Sequence, residues 1–132
     1  MAGNTDMVTF IEARLTEEEQ VAWDAGGASW RCPADVPGEV HDRSSGIAFT
    51  VRGAGYDRHI ALQDPARTLA RIETSRVLLS EYTEVAGRDT DRPTDDYTSG
   101  RAVGLGFAVR QLAAEYAWHP DYKAKWLPRF IR

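Results

Sequence analysis

Arg58-His59-Ile60-Ala61-Leu62-Gln63-Asp64-Pro65-Ala66-Arg67 decides how the chain is laid out, because Asp64-Pro65 has the chemistry of a helix start. An aspartate carboxylate accepts hydrogen bonds from the first free N–H groups of a helix. Proline lacks the N–H that would go unbonded at the first helical position, and its ring presets the helical φ. Downstream, Leu69, Ile72, Leu79 and Tyr82, joined by Ala66, Ala70 and Val77, make a broad apolar stripe. Arg67, Arg71, Glu73, Arg76 and Glu81 make the charged face opposite. The pattern predicts a helix of about 22 residues, or about 33 Å at 1.5 Å per residue, stopped by Gly87 at its C′ position. Upstream, Tyr56 to Gln63 reads as a short helix or turn.

Between Ala28 and Gly55 the composition shifts to β-branched residues, glycine and proline. Trp30-Arg31-Cys32 and Ile47 to Arg52 are strand candidates, with Glu39-Val40-His41 a short one between the turns at Pro37-Gly38 and Ser44-Ser45-Gly46. Alternation in the second predicts Ile47, Phe49 and Val51 facing the core and Ala48, Thr50 and Arg52 facing out. Before the sheet, Asp6 is placed to cap a helix carrying Met7, Phe10, Ile11 and Leu15. Thr16-Glu17-Glu18-Glu19 has the form of a capping box, at which that helix bends or restarts before Val21, Ala22 and Trp23 and ends at Gly26-Gly27. After the long helix, 88–100 reads as a flexible polar loop. Arg101 to Trp118 reads as the last main helix, with Leu105, Val109, Leu112 and Tyr116 buried and Val103, Phe107 and Ala113 widening the row. Gly104 and Gly106 weaken that helix and imply either close packing or a frayed start. The segment 119–132 is too aromatic for a solvated tail and is expected to fold back onto the body.

These elements predict one domain over 1–132 of the α+β class. A small two- or three-stranded antiparallel sheet packs against three main helices, in the order α-β-β(-β)-α-α. A sheet of that size is marginal alone, so helices must cover its apolar face.

An apolar fraction of 42% and a charged fraction of 27% are those of an ordinary globular protein. A net charge of −4 argues against nucleic acid, whose phosphates need a basic stripe. Cys32 is the single cysteine, which excludes an internal disulfide and a multi-cysteine metal site and suits a reducing cytoplasm. No apolar run is long enough for a membrane span, and the acidic first 30 residues lack the basic-then-apolar plan of a signal peptide. A cytoplasmic location is expected.

Three blocks keep their order over much of the chain: Phe10-Ile11-Glu12-Ala13-Arg14-Leu15-Thr16-Glu17-Glu18-Glu19-Gln20; His59-Ile60-Ala61 through Asp64-Pro65-Ala66-Arg67-Thr68-Leu69; and His119-Pro120-Asp121-Tyr122 with Trp126 and Pro128. Together they resemble an uncharacterised domain family of actinobacterial and actinophage proteins. The middle block is similar, more weakly, to Ead-type early phage proteins, in which a tryptophan-bearing hairpin precedes an Asp-Pro or Asn-Pro helix. The resemblance implies a phage or prophage origin and no particular reaction. Leu62-Gln63 stand where relatives carry Arg-His, and Trp118 stands where an aspartate is usual. Both departures argue against a shared metal or catalytic centre.

Candidate chemistry is correspondingly sparse. His59, His119 and Asp121, with His41, have the side chains of a metal or acid–base cluster, but no pair has the helical spacing of a known motif. Structural hydrogen bonding explains them better, and neither metal nor cofactor is expected. Asp89, Asp91, Asp95 and Asp96 miss the ligand spacing of a calcium loop. Gly53-Ala54-Gly55 is half a dinucleotide fingerprint without its βαβ context, and no nucleophile motif is present.

The leading expectation is a non-enzymatic interaction protein that binds a host or phage protein or self-associates as a homodimer. Trp118, His119, Asp121, Tyr122 and Trp126, with Phe130, are the partner-binding candidates, because Trp, Tyr and Arg dominate interface hot spots. The alternative is a small-molecule or nucleotide binder, with Arg58, His59, Asp64, Arg67 and Arg71 holding an anionic ligand at the start of the long helix. A metal-dependent hydrolase ranks third.

Overall fold

Helical periodicity dominates the chain, and a computed structural model describes residues 2–44, 46–53 and 55–128 of it. Among these are four α-helices and one two-stranded antiparallel sheet, in the order α1 (Ala2–Asp24), β1 (Glu39–His41), β2 (Ile47–Thr50), α2 (Tyr56–Leu62), α3 (Pro65–Val85) and α4 (Tyr97–Ala114). This is the expected small α+β fold. The chain divides into two compact units, Met1–Thr16 with Glu73–Arg132, and Glu17–Ile72.

In the first unit the core is built from Met7, Phe10, Ile11 and Leu15 of α1, Leu79 and Tyr82 of α3, Ala102, Val109 and Ala113 of α4, and Tyr116 and Trp126 beyond it. Asp6 does not cap α1, which starts earlier at Ala2; its carboxylate pairs with Lys123 at 3.2 Å. Thr16 does not interrupt α1 either. Met7, Ile11, Leu15 and Ala22 are all buried, and their spacing of four, four and seven keeps one phase, so a restart at Thr16 would break the stripe and strand N–H groups.

The long helix runs from Pro65 to Val85 as its start signal predicts. Its buried row is Ile72, Ser75, Leu79 and Tyr82. Val77 lies off that row and is 58% exposed, which corrects the wider stripe read from the sequence. Gly87 does not adopt the left-handed conformation of a C′ glycine; α3 instead tightens into a 3-10 turn, Ala86–Arg88, closed by the Asp89 N–H donating to the Ala86 carbonyl at 3.1 Å. The last helix begins at Tyr97, four residues before the expected Arg101, and ends at Ala114. The polar run ahead of Arg101 conceals its first turn. Beyond Ala114 the chain continues in tighter turns, Tyr116 N–H to Ala113 carbonyl at 2.9 Å and Ala117 N–H to Ala114 carbonyl at 3.1 Å.

The second unit contains the hairpin. Glu39 pairs with Thr50, Val40 with Phe49 and His41 with Ile47, so a bulge interrupts the register between Val40 and His41. The bulge breaks the alternation on which the inward set was predicted. Val40 is fully buried and Phe49 packs edge-on against Trp30, with ring centroids 5.4 Å apart, while Ile47 is 58% exposed rather than facing the core. The Trp30-Arg31-Cys32 strand reduces to a single bridge, Arg31 opposite His41.

A buried carboxylate joins this hairpin to α2. Asp57 accepts N–H bonds from Gly38 at 3.0 Å, Gly55 at 3.1 Å and Arg58 at 2.8 Å. Gly38 is required there, since its φ is +88° and an added Cβ would lie 2.7 Å from the Val51 carbonyl oxygen. The Gly38 N–H, with those of Arg58 and Gly55, holds the Asp57 carboxyl below its ordinary value against the opposing effect of burial. A carboxyl depressed on folding contributes stability that is fully present above its unfolded value, about pH 4, and lost as pH falls through the folded value. Asp57→Asn therefore lowers Tm by several degrees at pH 7, and the gap to wild type closes as thermal scans are taken from pH 4 toward pH 2.

Candidate functional site

The start of α3 is closed off by its own chain. Asp64 Oδ1 accepts the Arg67 N–H at 2.8 Å, and Oδ2 accepts the Trp30 N–H at 3.0 Å. The Ala66 N–H donates to the Ala28 carbonyl at 3.2 Å, and the Thr68 N–H to the Asp64 carbonyl at 3.0 Å. Pro65 has no N–H to offer. The free amides that would make this helix end an anion site are thus already used, which corrects the expectation that they are available to a ligand.

Beside this cap lies an open cleft of about 510 Å³ whose lining includes Trp30, Arg31, Cys32, Arg58, Asp64 and Arg67 over an apolar patch at Ala61 and Leu62. The fold therefore brings Arg58, Asp64 and Arg67 together and adds Arg31, which sequence reasoning treated only as a strand residue. Among the described residues, no carboxylate lies within ion-pairing distance of Arg31, Arg58 or Arg67. In contrast, Arg71 pairs with Glu18 at 2.7 Å, Arg88 with Asp96 at 3.0 Å, Arg110 with Asp89 at 2.9 Å and Arg101 with Glu81. Arg43, Arg52 and Arg92, for which no such pair occurs among the described residues, lie in turns and bends outside this cleft. Three guanidinium groups around one concavity, none of them in a close ion pair among the described residues, are suited to oxyanions through charge-assisted N–H to oxygen bonds, in a chain of net charge −4.

A second, more apolar cavity of about 260 Å³ adjoins the first. Trp30 lines both, and Leu62 and Asp64 in the first are succeeded by Gln63 and Pro65 in the second. Arg71 belongs to this second cavity, whereas His59 stands exposed on α2 and lines neither. Burial and the Asp57 carboxylate raise the Cys32 thiol above its ordinary value against the pull of Arg58, so Cys32 is not primed as a nucleophile.

The partner-binding candidates sit in the first unit. Trp126 is buried and packs on Phe10 at 5.1 Å, and Tyr122 and His119 pack on the same ring at 6.1 and 5.5 Å. His119 Nδ1 accepts the Asp121 N–H at 3.0 Å, and the Arg14 guanidinium lies against the imidazole. Asp121 is exposed. Trp118 is 75% exposed, and Phe130 lies outside the described residues. No group of three or more histidine, cysteine, aspartate or glutamate side chains able to hold a metal ion occurs among the described residues, and no described helix is long and apolar enough to cross a membrane.

The class defined by this geometry is a small α+β domain with an open, arginine-lined cleft beside a capped helix. The chain belongs to a family of unknown function (DUF6221), which matches residues 4–128. No curated protein and no solved structure matches it.

Proposed function

We propose that the protein is a non-enzymatic binding protein that takes a small anionic ligand into the Arg31, Arg58 and Arg67 cleft. The observation that carries this reading is that these three arginines meet around one concavity with no carboxylate at ion-pairing distance among the described residues, whereas Arg71, Arg88 and Arg110 each hold one. Asp64, spent on the Arg67 and Trp30 N–H groups, positions the site rather than contacting the ligand. The sequence blocks around Asp64 and His119 support an actinobacterial or actinophage origin. The single cysteine supports action in the cytoplasm.

A thermal-shift panel of inorganic phosphate, pyrophosphate and mono-, di- and cyclic nucleotides tests the reading. A ligand at 100 times its Kd stabilises by about 2.7 kcal/mol, a rise of several degrees in Tm. The rise shrinks with added salt and disappears in Arg58→Ala/Arg67→Ala, whose own Tm changes little because both side chains are exposed. A flat response across the panel refutes it.

A second reading, self-association or capture of a host or phage protein, is favoured by the exposed rings of Trp118, 75% accessible, and Tyr97, 84% accessible. Light scattering that returns a dimer mass for wild type and a monomer mass for Trp118→Ser supports self-association. A monomer mass for both counts against it.

A further inference from the structure

The arginine cleft and the apolar cavity beside it share Trp30 as a common wall. We infer that the ligand of the cleft is a nucleotide, its phosphates on Arg31, Arg58 and Arg67 and its base in the neighbouring cavity against Trp30. This rests on the cleft holding an anion, and it adds the chemistry of the rest of the molecule.

Three observations carry it. The first is the difference in lining: the second cavity offers Val21, Ala22, Ala25 and Pro65 as apolar surface, and its arginine, Arg71, is neutralised by Glu18 at 2.7 Å. An anionic group belongs in the first cavity and an uncharged body in the second. The second is Trp30 itself. Its backbone is held by Asp64 at 3.0 Å and its ring by Phe49 at 5.4 Å, so a rigid indole stands at the junction, where a planar base gains a stacking surface at little entropic cost. The third is size. The cleft of about 510 Å³ is large enough for a small molecule by itself, whereas the cavity of about 260 Å³ is below the usual lower limit of roughly 300 Å³ and suits one part of a ligand seated in both. Gln63 and Thr68 on the wall of the apolar cavity supply donors and acceptors for the edge of a base.

The test is isothermal titration of the full chain with ADP, pyrophosphate and butyl phosphate, for wild type, Ala25→Leu and Trp30→Phe. Ala25 is exposed at the end of α1, so leucine there fills the apolar cavity while leaving the arginines and the fold in place. Wild type is expected to bind ADP at least tenfold more tightly than pyrophosphate or butyl phosphate, the gain of one base stacked on an aromatic ring. Ala25→Leu brings ADP down to the affinity of pyrophosphate without changing pyrophosphate itself. Trp30→Phe keeps a flat ring and loses only a few-fold. Equal binding of ADP and pyrophosphate, or ADP binding indifferent to Ala25→Leu, overturns the inference and leaves the anion cleft standing. Butyl phosphate binding as tightly as ADP overturns the base in favour of an aliphatic body. No binding of any of the three overturns both readings.

Discussion

Gly106→Ala is expected to destabilise the protein by about 3 kcal/mol, although alanine is the better helix former by about 1 kcal/mol. The reason is a buried carboxylate. Asp89 follows the 3-10 turn after α3, and its Oδ2 accepts the Tyr82 hydroxyl at 2.6 Å and the Arg110 guanidinium at 2.9 Å. Asn4 Nδ2 holds the same turn through the Ala86 carbonyl at 3.1 Å and the Asp89 carbonyl at 3.3 Å. Gly106 is the floor on which this carboxylate rests: a Cβ there would lie 2.6 Å from Asp89 Cγ and 2.8 Å from Arg110 Nη1. A free surface aspartate would swing aside, but Asp89 is buried and held from two directions.

Displacing the carboxylate leaves the Tyr82 hydroxyl and the Arg110 charge without their acceptor, which is the costly way to break a buried pair. Burial and the Asp89 carboxylate hold the Tyr82 phenol far above its ordinary value, so its hydroxyl is a proton-bearing donor that needs an acceptor. Urea unfolding reads the difference directly, with a fall in Tm of about 10 °C expected alongside it. Gly104→Ala is the internal control. Gly104 is in the same helix, exposed and with nothing near its missing Cβ, so alanine there raises stability by up to about 1 kcal/mol. If both variants gain stability alike, Gly106 is not the floor of the network.

Asp64→Ala is the second large effect, expected at about 2 kcal/mol. One carboxylate here does two jobs: it caps α3 through the Arg67 N–H and anchors the chain leading into the hairpin through the Trp30 N–H. Loss of the cap alone costs roughly 1 kcal/mol, and the Trp30 amide adds the desolvation of an unmade bond. Asp64→Ser separates the two, because a serine hydroxyl keeps the cap to Arg67 but has one oxygen where both amides need an acceptor. It is expected to recover about half the loss in urea unfolding. Because Trp30 lines both cavities, Asp64→Ala also weakens ADP binding more than pyrophosphate binding, and Asp64→Ser, which keeps the cap but not the bond to the Trp30 N–H, regains part of the stability without regaining the ADP affinity.

Much of the fold was legible because its signals are local. Asp64-Pro65 marks the start of α3, and the apolar spacing of Ile72, Leu79 and Tyr82 gives its buried row. The hairpin was located by its turns and β-branched residues, but not its inward face. A bulge between Val40 and His41 shifts one strand against the other, and no property of Ile47 itself reveals it. The capping box at Thr16 failed for a related reason: a valid local start signal yields when the stripe on either side keeps one phase.

The candidate site was half legible. Arg58, Asp64 and Arg67 lie within ten residues, so short sequence separation keeps them near one another, although Arg58 is on α2 and Arg67 on α3. Trp30 and Arg31 were missed, because they reach the cleft through a hydrogen bond spanning 34 positions. A pattern that could have suggested them is the Asp64 carboxylate itself, which has two oxygens and only one cap to fill. Gly106 was legible as a problem, a glycine inside a helix, and only the packing of Asp89 shows that it answers a need.

By itself the sequence determined the class of fold, the start of its longest helix and the absence of any motif for a known reaction, since these follow from residue types and short-range spacing. Tertiary structure alone decided which arginines are left unpaired, which carboxylates are spent on backbone amides and which cavities adjoin. Those properties depend on distances between segments far apart in the chain, and no local propensity encodes them.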